Sequence, residues 1–118
     1  MPATKYTAVV TSNDPERIFP PFILALGARA MEMDAVLFFT MSGLQALVNG
    51  EADKIELGGK NLGDMLRQAM DMNVRLIACS TALELAGIKE EDLVEGVEVA
   101  GVATYLSEAA DNAICNSY

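Results

Sequence analysis

The chain has 118 residues, 52% of them apolar and 21% charged, with a formal net charge of −9. That length fits one domain, 1–118, able to bury a real core without disulfides or metal. The acidity makes nucleic acid and anionic lipid poor partners, since both need a basic patch, and no apolar run approaches the roughly 18–20 residues of a membrane span.

The first residues, Met1–Lys5, run straight into a β-rich segment, Tyr6–Thr11, with no region resembling an export signal. Asp14 and Pro15 offer a helix cap and a first-turn proline. Pro20 and Pro21 predict a turn over 14–19 and a main helix from about Pro20 to Met33, with a kinked continuous helix as the alternative. Asp34 then breaks into a strand, Ala35–Thr40, apolar on both faces. A loop, Met41–Leu44, leads to a short helix through Val48, ended by Asn49 and Gly50. Residues 51–60 are the least regular, with Gly58 and Gly59 marking a loop.

Asn61 caps an amphipathic helix with Leu62, Met65, Leu66, Ala69 and Met70 at helical spacing. The apolar run Val74–Ala78 predicts a buried strand ending at Cys79, and Ser80–Gly87 a short helix stopped by glycine. Lys89–Leu93 reads as a charged turn or one-turn helix, Val97–Ala100 as a strand, and Gly101–Ala113 as the last helix. Strands alternating with helices at this spacing predict parallel βαβ units in a three-layer α/β/α sandwich. The apolar excess suits a sheet buried on both faces and some surface covered by other subunits.

Much chemistry is excluded. The chain has no histidine, which removes Cys–His and Ser–His–Asp machinery and makes zinc implausible. Gly59-Lys60 is followed by Asn61, so no Walker A loop is present, and no GxGxxG fingerprint implies a dinucleotide cofactor. Glu90, Glu91 and Asp92 read as a solvated helix start, and Met65, Met70 and Met72 as core or interface filling. A flavin or nucleotide site would rest on fold analogy alone. No cofactor is expected.

Cys79 remains. It lies at the carboxyl edge of the sheet, where open α/β sheets bind ligands, and beside a helix start, which favours negative charge. An ordinary thiol is only about 3% ionised at pH 7, and a helix terminus contributes about 0.3–1 kcal/mol. Further positive charge would have to come from Lys or Arg, with Lys54, Lys60, Arg75 and Lys89 as the candidates. Cys79 is thus either a reactive thiolate or an inert core cysteine. Ser42 and Thr81 could donate to the sulfur or simply cap helices. Cys115, in a polar tail, reads as an incidental exposed thiol, with a resolving or relay role as the alternative. Two such cysteines suit a reducing cytoplasm.

The order and spacing of several segments resemble the DsrE/DsrF-like family of sulfur-relay proteins, in its peroxiredoxin-like branch. Those segments are Phe38-Phe39-Thr40 with Gly43-Leu44, Ala78-Cys79, Gly87-Ile88 through Asp92-Leu93, Gly96–Val99 and Gly101–Leu106. The resemblance covers nearly the whole chain. It implies a mainly parallel sheet of about five strands, homo-oligomers, and a cysteine, Cys79, that carries sulfur as a persulfide or thiosulfonate. Sulfur donor and acceptor proteins, or small sulfane-sulfur compounds, would be its partners. Ser42, Gly43, Ser80, Thr81 and Gly101 would line the site. A non-catalytic assembly module with an inert Cys79 is the rival reading.

Overall fold

The computed structural model describes residues 4–110 and 113–118; the readings of Met1–Ala3 and of Asp111 and Asn112 fall outside them. The strands are β1 (Lys5–Val10), β2 (Asp34–Phe39), β3 (Glu56–Leu57), β4 (Lys60–Asn61), β5 (Arg75–Cys79), β6 (Glu98–Ala100) and β7 (Ala113–Ser117). The helices are α1 (Pro15–Ala30), α2 (Leu62–Asp71), α3 (Ser80–Ala86) and α4 (Val102–Ala109). Five strands form one sheet, ordered β6-β5-β2-β1-β7 and parallel throughout, while β3 and β4 make a small hairpin. No helix among the described residues is long and apolar enough to cross a membrane.

Two expectations are corrected. α1 is continuous through Pro20 and Pro21, starting at Pro15 behind the Asp14 cap, whose carboxylate accepts from the Glu16 N–H at 3.0 Å. A proline inside a helix costs about 3 kcal/mol or more. The continuous helix buries Ile18 and Phe19 together with Phe22. Burying such side chains is worth about 1.5–3 kcal/mol each, which offsets much of the cost of the broken ladder. The second correction lies at the other end. The last helix stops at Ala109, and residues 113–117 form the fifth strand rather than a tail. Backbone bonds tie it to β1: Tyr118 N–H donates to Val9 and Thr11 N–H to Tyr118.

The helices divide between two faces. Phe39 and Phe38 are consecutive on β2 and so point to opposite faces. Phe39 meets Phe22 of α1, with ring centroids 5.8 Å apart, and Phe38 stacks on Tyr105 of α4 at 5.1 Å. α1 and α2 pack together, with the hairpin against α1. Right-handed crossover places α3 on that same face. Among the described residues only α4, returning from β6 to β7, lies on the other.

Three helices end alike. Residues Glu32, Asn73 and Gly87 have φ of 63°, 63° and 70°. The N–H of the residue after each of these reaches back to the last turn of its helix: Met33 to Ala28, Val74 to Ala69, Ile88 to Leu83. This left-handed closing position favours glycine, and Glu32 is the residue least suited to it. Glu32→Gly is expected to stabilise the fold by about 0.5–1 kcal/mol, read as a higher urea midpoint with unchanged slope.

Candidate active site at the carboxyl edge

β1, β2 and β5 are followed by helices on one face, and β6 by α4 on the other. The crevice between β5 and β6 is therefore the topological switch point of the sheet, where open α/β folds bind their ligands. Cys79 pairs with Ala100 across that crevice. On its other side, Phe39 pairs with Ala78, which brings Thr40 level with Cys79.

Two helix starts meet at this point. Cys79 is the N-cap of α3 and Gly101 the N-cap of α4, and neither supplies a side-chain cap. An oxygen-bearing N-cap would accept from the first-turn N–H groups. The Thr104 N–H donates to the Gly101 carbonyl at 3.1 Å, while the N–H groups ahead of it and those at the start of α3 favour an anion, by about 0.3–1 kcal/mol per helix. Ser80 is half-buried, and its Oγ lies 3.8 Å from where a Cβ on Gly101 would stand. Cys79, Ser80 and Gly101 thus share the crevice.

The remaining candidates divide. Thr81 and Ser42 are exposed near the edge and touch nothing that fixes them to the sulfur. Gly43 is buried for another reason: a Cβ there would overlap the Val10 carbonyl oxygen and lie 2.9 Å from its carbon. What approaches Gly43 is the chain's own backbone. Sequence reasoning missed Thr40 and Met41. Met41 is exposed and held at φ 50°, a left-handed conformation that a bulky side chain rarely adopts. Such strain gathers at functional loops, and nothing in the residue type announces it.

The sulfur is less open than expected. Cys79 is 4% exposed. By alternation along β5 it shares the face of Ile77 and Arg75, the face on which α4 lies. None of the four candidate cations reaches it. Arg75 is at the opposite end of β5, roughly 13 Å away by strand rise, and donates to Glu98 at 2.6 and 2.9 Å and to Glu108 at 2.6 Å. Lys54 pairs with Glu51 at 3.2 Å. Lys60 is exposed on the hairpin beyond α1, on the other face, and Lys89 is exposed after α3.

Those charges build a second cluster at the amino edge. Lys5 is buried and donates to the Glu108 carboxylate at 2.5 Å and to its backbone carbonyl at 3.3 Å. The Lys5 hydrogen bond holds the Glu108 carboxyl below the usual range, and Arg75 does the same for Glu98. Thr7 is fully buried, and its hydroxyl meets the Tyr105 hydroxyl at 3.4 Å. α4 is thereby pinned over the face that holds Cys79.

Cys115 is exposed on β7, and its Sγ donates to the Ala109 carbonyl at 3.4 Å. Register places it three strands from β5 and level with Arg75. The two thiols are then about 20 Å apart, far beyond the ~7 Å that a disulfide can bridge. A resolving role within one chain is excluded.

Comparison with known proteins fits this architecture. The ychN protein from E. coli superposes with a TM-score of 0.77 at 22% identity, covering 97% of this chain and 99% of that one. An uncharacterized protein of Methanocaldococcus jannaschii, MJ0760, is 30% identical over 97 residues, 81% of this chain but only 35% of the relative, so the chain spans about a third of that protein. A protein of Allochromatium vinosum named sulfur carrier protein DsrE2 is 24% identical, covering 98% of both chains. A model of the DsrE/DsrF-like family matches residues 4–114, and the chain belongs to that family.

Proposed function

We propose that this protein is a cytoplasmic sulfur carrier or sulfurtransferase, holding sulfane sulfur on Cys79 as a persulfide or thiosulfonate and working as a homo-oligomer. The carrying observation is the thiol at the switch point between two helix starts that lack an oxygen cap. Family membership and the distant relative named as a sulfur carrier support the same reading.

The chemistry needs no histidine. The Cys79 thiolate attacks the outer sulfur of a polysulfide; a new S–S bond forms, the donor's S–S bond breaks, and the donor leaves as the shortened thiolate. An acceptor thiolate then attacks the held sulfur and returns Cys79 as a thiolate. Each exchange conserves electrons. With a polythionate donor the thiolate attacks a sulfane sulfur that carries a terminal sulfonate; the S–S bond to the rest of the donor breaks, thiosulfate leaves, and Cys79 holds a thiosulfonate. The first-turn N–H groups of α3 and α4 favour the anionic forms throughout. Loading also requires the crevice to open, because the sulfur is buried at rest.

That burial favours a second reading, an assembly module whose Cys79 is inert. Intact mass after polysulfide treatment separates the two, with Cys115→Ser as background to remove the exposed thiol. The carrier gains whole sulfur atoms on Cys115→Ser and none on the Cys79→Ser, Cys115→Ser double variant. Equal mass gains for the two proteins end the carrier reading and leave the inert scaffold.

A further inference from the structure

The two edges of the sheet are guarded very differently. β6 has three residues and carries Glu98, which is bound by Arg75. β7 has five residues, none charged and none proline, and four of them are exposed. Natural edge strands are usually blunted by charge, proline, bulges or brevity, because a free edge templates another strand. β7 has none of these protections.

Its hydrogen-bonding phase is fixed by the structure. Tyr118 directs both its N–H and its C=O at β1, and in a parallel strand alternate residues face alternate neighbours. Asn116 and Ile114 therefore also face β1. Ala113, Cys115 and Ser117 point their N–H and C=O groups outward. Beside this edge, on the α1 face, runs an apolar groove of about 440 Å³ whose lining includes Ile23, Leu24, Gly27, Met31, Met33 and Ile114. Ile23, Leu24, Met31 and Ile114 are 55%, 45%, 75% and 47% exposed.

We propose that β7 pairs antiparallel with β7 of a second copy about a twofold axis at Cys115, joining two sheets into one. The occupant follows from charge and symmetry. A chain of net charge −9 repels its own copies, but the groove and strand present no charged side chain. The outward groups of 113, 115 and 117 are self-complementary under a twofold: Cys115 exchanges both bonds with the second copy's Cys115, and Ala113 pairs with Ser117 at either end. A twofold normal to the sheet keeps both α1 faces on one side, so the two grooves merge with an Ile114 from each copy on the floor. The inference rests on the self-association expected above but not on the chemistry of Cys79.

Cys115→Pro tests it in the full chain. Proline there removes an outward N–H and leaves the bonds to β1 intact, as edge strands tolerate. Sedimentation should show the weight-average mass falling by a factor of about two. Treatment with diamide reads the register independently of folding defects. Paired residues of this kind have Cα atoms about 5.5 Å apart, within disulfide range, so Cys79→Ser should give a dimer linked through Cys115. An unchanged mass for folded Cys115→Pro overturns this interface even if the protein still assembles elsewhere. So does the absence of a Cys115–Cys115 link in the oxidised Cys79→Ser protein.

Discussion

Gly43→Ala is expected to cost about 3 kcal/mol or more. The added Cβ falls on the Val10 carbonyl, which is backbone and cannot rotate away. That carbonyl also accepts the Thr40 N–H at 3.0 Å, and the Gly43 N–H donates to Thr40 at 3.0 Å. The loop must lift off β1, so overpacking of about 1–3 kcal/mol is joined by at least one broken buried hydrogen bond at about 1–3 kcal/mol. Gly27→Ala is the control. Nothing lies within 4 Å of its Cβ position, and the helix interior gains about 0.5–1 kcal/mol from alanine. Urea unfolding should move the two variants in opposite directions. Equal shifts would mean that the close approach at Gly43 is not what holds the edge in place. Because Thr40 is level with Cys79, folded Gly43→Ala protein should also show altered alkylation of Cys79.

The parts of the fold visible in the sequence are those encoded locally. The runs at Tyr6–Thr11, Ala35–Thr40, Val74–Ala78 and Val97–Ala100 mark four of the five sheet strands because each is rich in apolar and β-branched residues. Asn61 and Gly87 mark helix limits because capping is a property of single residues: Asn61 accepts from Asp64 N–H at 3.3 Å, and Gly87 has φ 70°. Cys79 at a strand end is legible for the same reason. β7 is not, since Ile114, Cys115 and Asn116 show no strand pattern and gain their conformation from bonds to β1, over a hundred residues earlier. α1 deceived because two prolines argue locally for a break, while the burial of Ile18 and Phe19 is decided by the sheet beneath. The face that Cys79 occupies depends on where α4 crosses, a property of strand order. Arg75 is the sharpest case. Four residues from Cys79 reads as close, yet along a strand it is the full length of the element, and the partners that claim Arg75 come from β6 and α4.

The other large effect is expected from Glu108→Ala, a loss of about 2–4 kcal/mol at neutral pH. Lys5 is buried and has its ammonium on the Glu108 carboxylate, so truncation strands a charge, and removing one partner of a buried pair costs about 3–5 kcal/mol. The figure is reduced because the Glu108 side chain is 27% exposed and water reaches it. Arg75 loses less, since it keeps Glu98. The pH dependence follows from the direction of the shifts. Both carboxyls are held below their ordinary value in the folded protein, so their stabilisation is present in full above the unfolded value, about 4.3, and is lost as pH falls through the folded values. Wild type should lose stability below about pH 4.5, and the gap to Glu108→Ala should close over the same range. A gap that stays constant down to pH 3 would show that the loss comes from packing and not charge. The consequence reaches the other end of the molecule. Glu108 pins the end of α4, while the start of α4 flanks Cys79 on the face where that sulfur is buried. Freeing the helix should let reagents in, so Cys79 in Glu108→Ala should alkylate several-fold faster than wild type in conditions where both remain folded. If the rate is unchanged while stability falls, α4 is not the cover, and the crevice must open through the strained loop at Met41 instead.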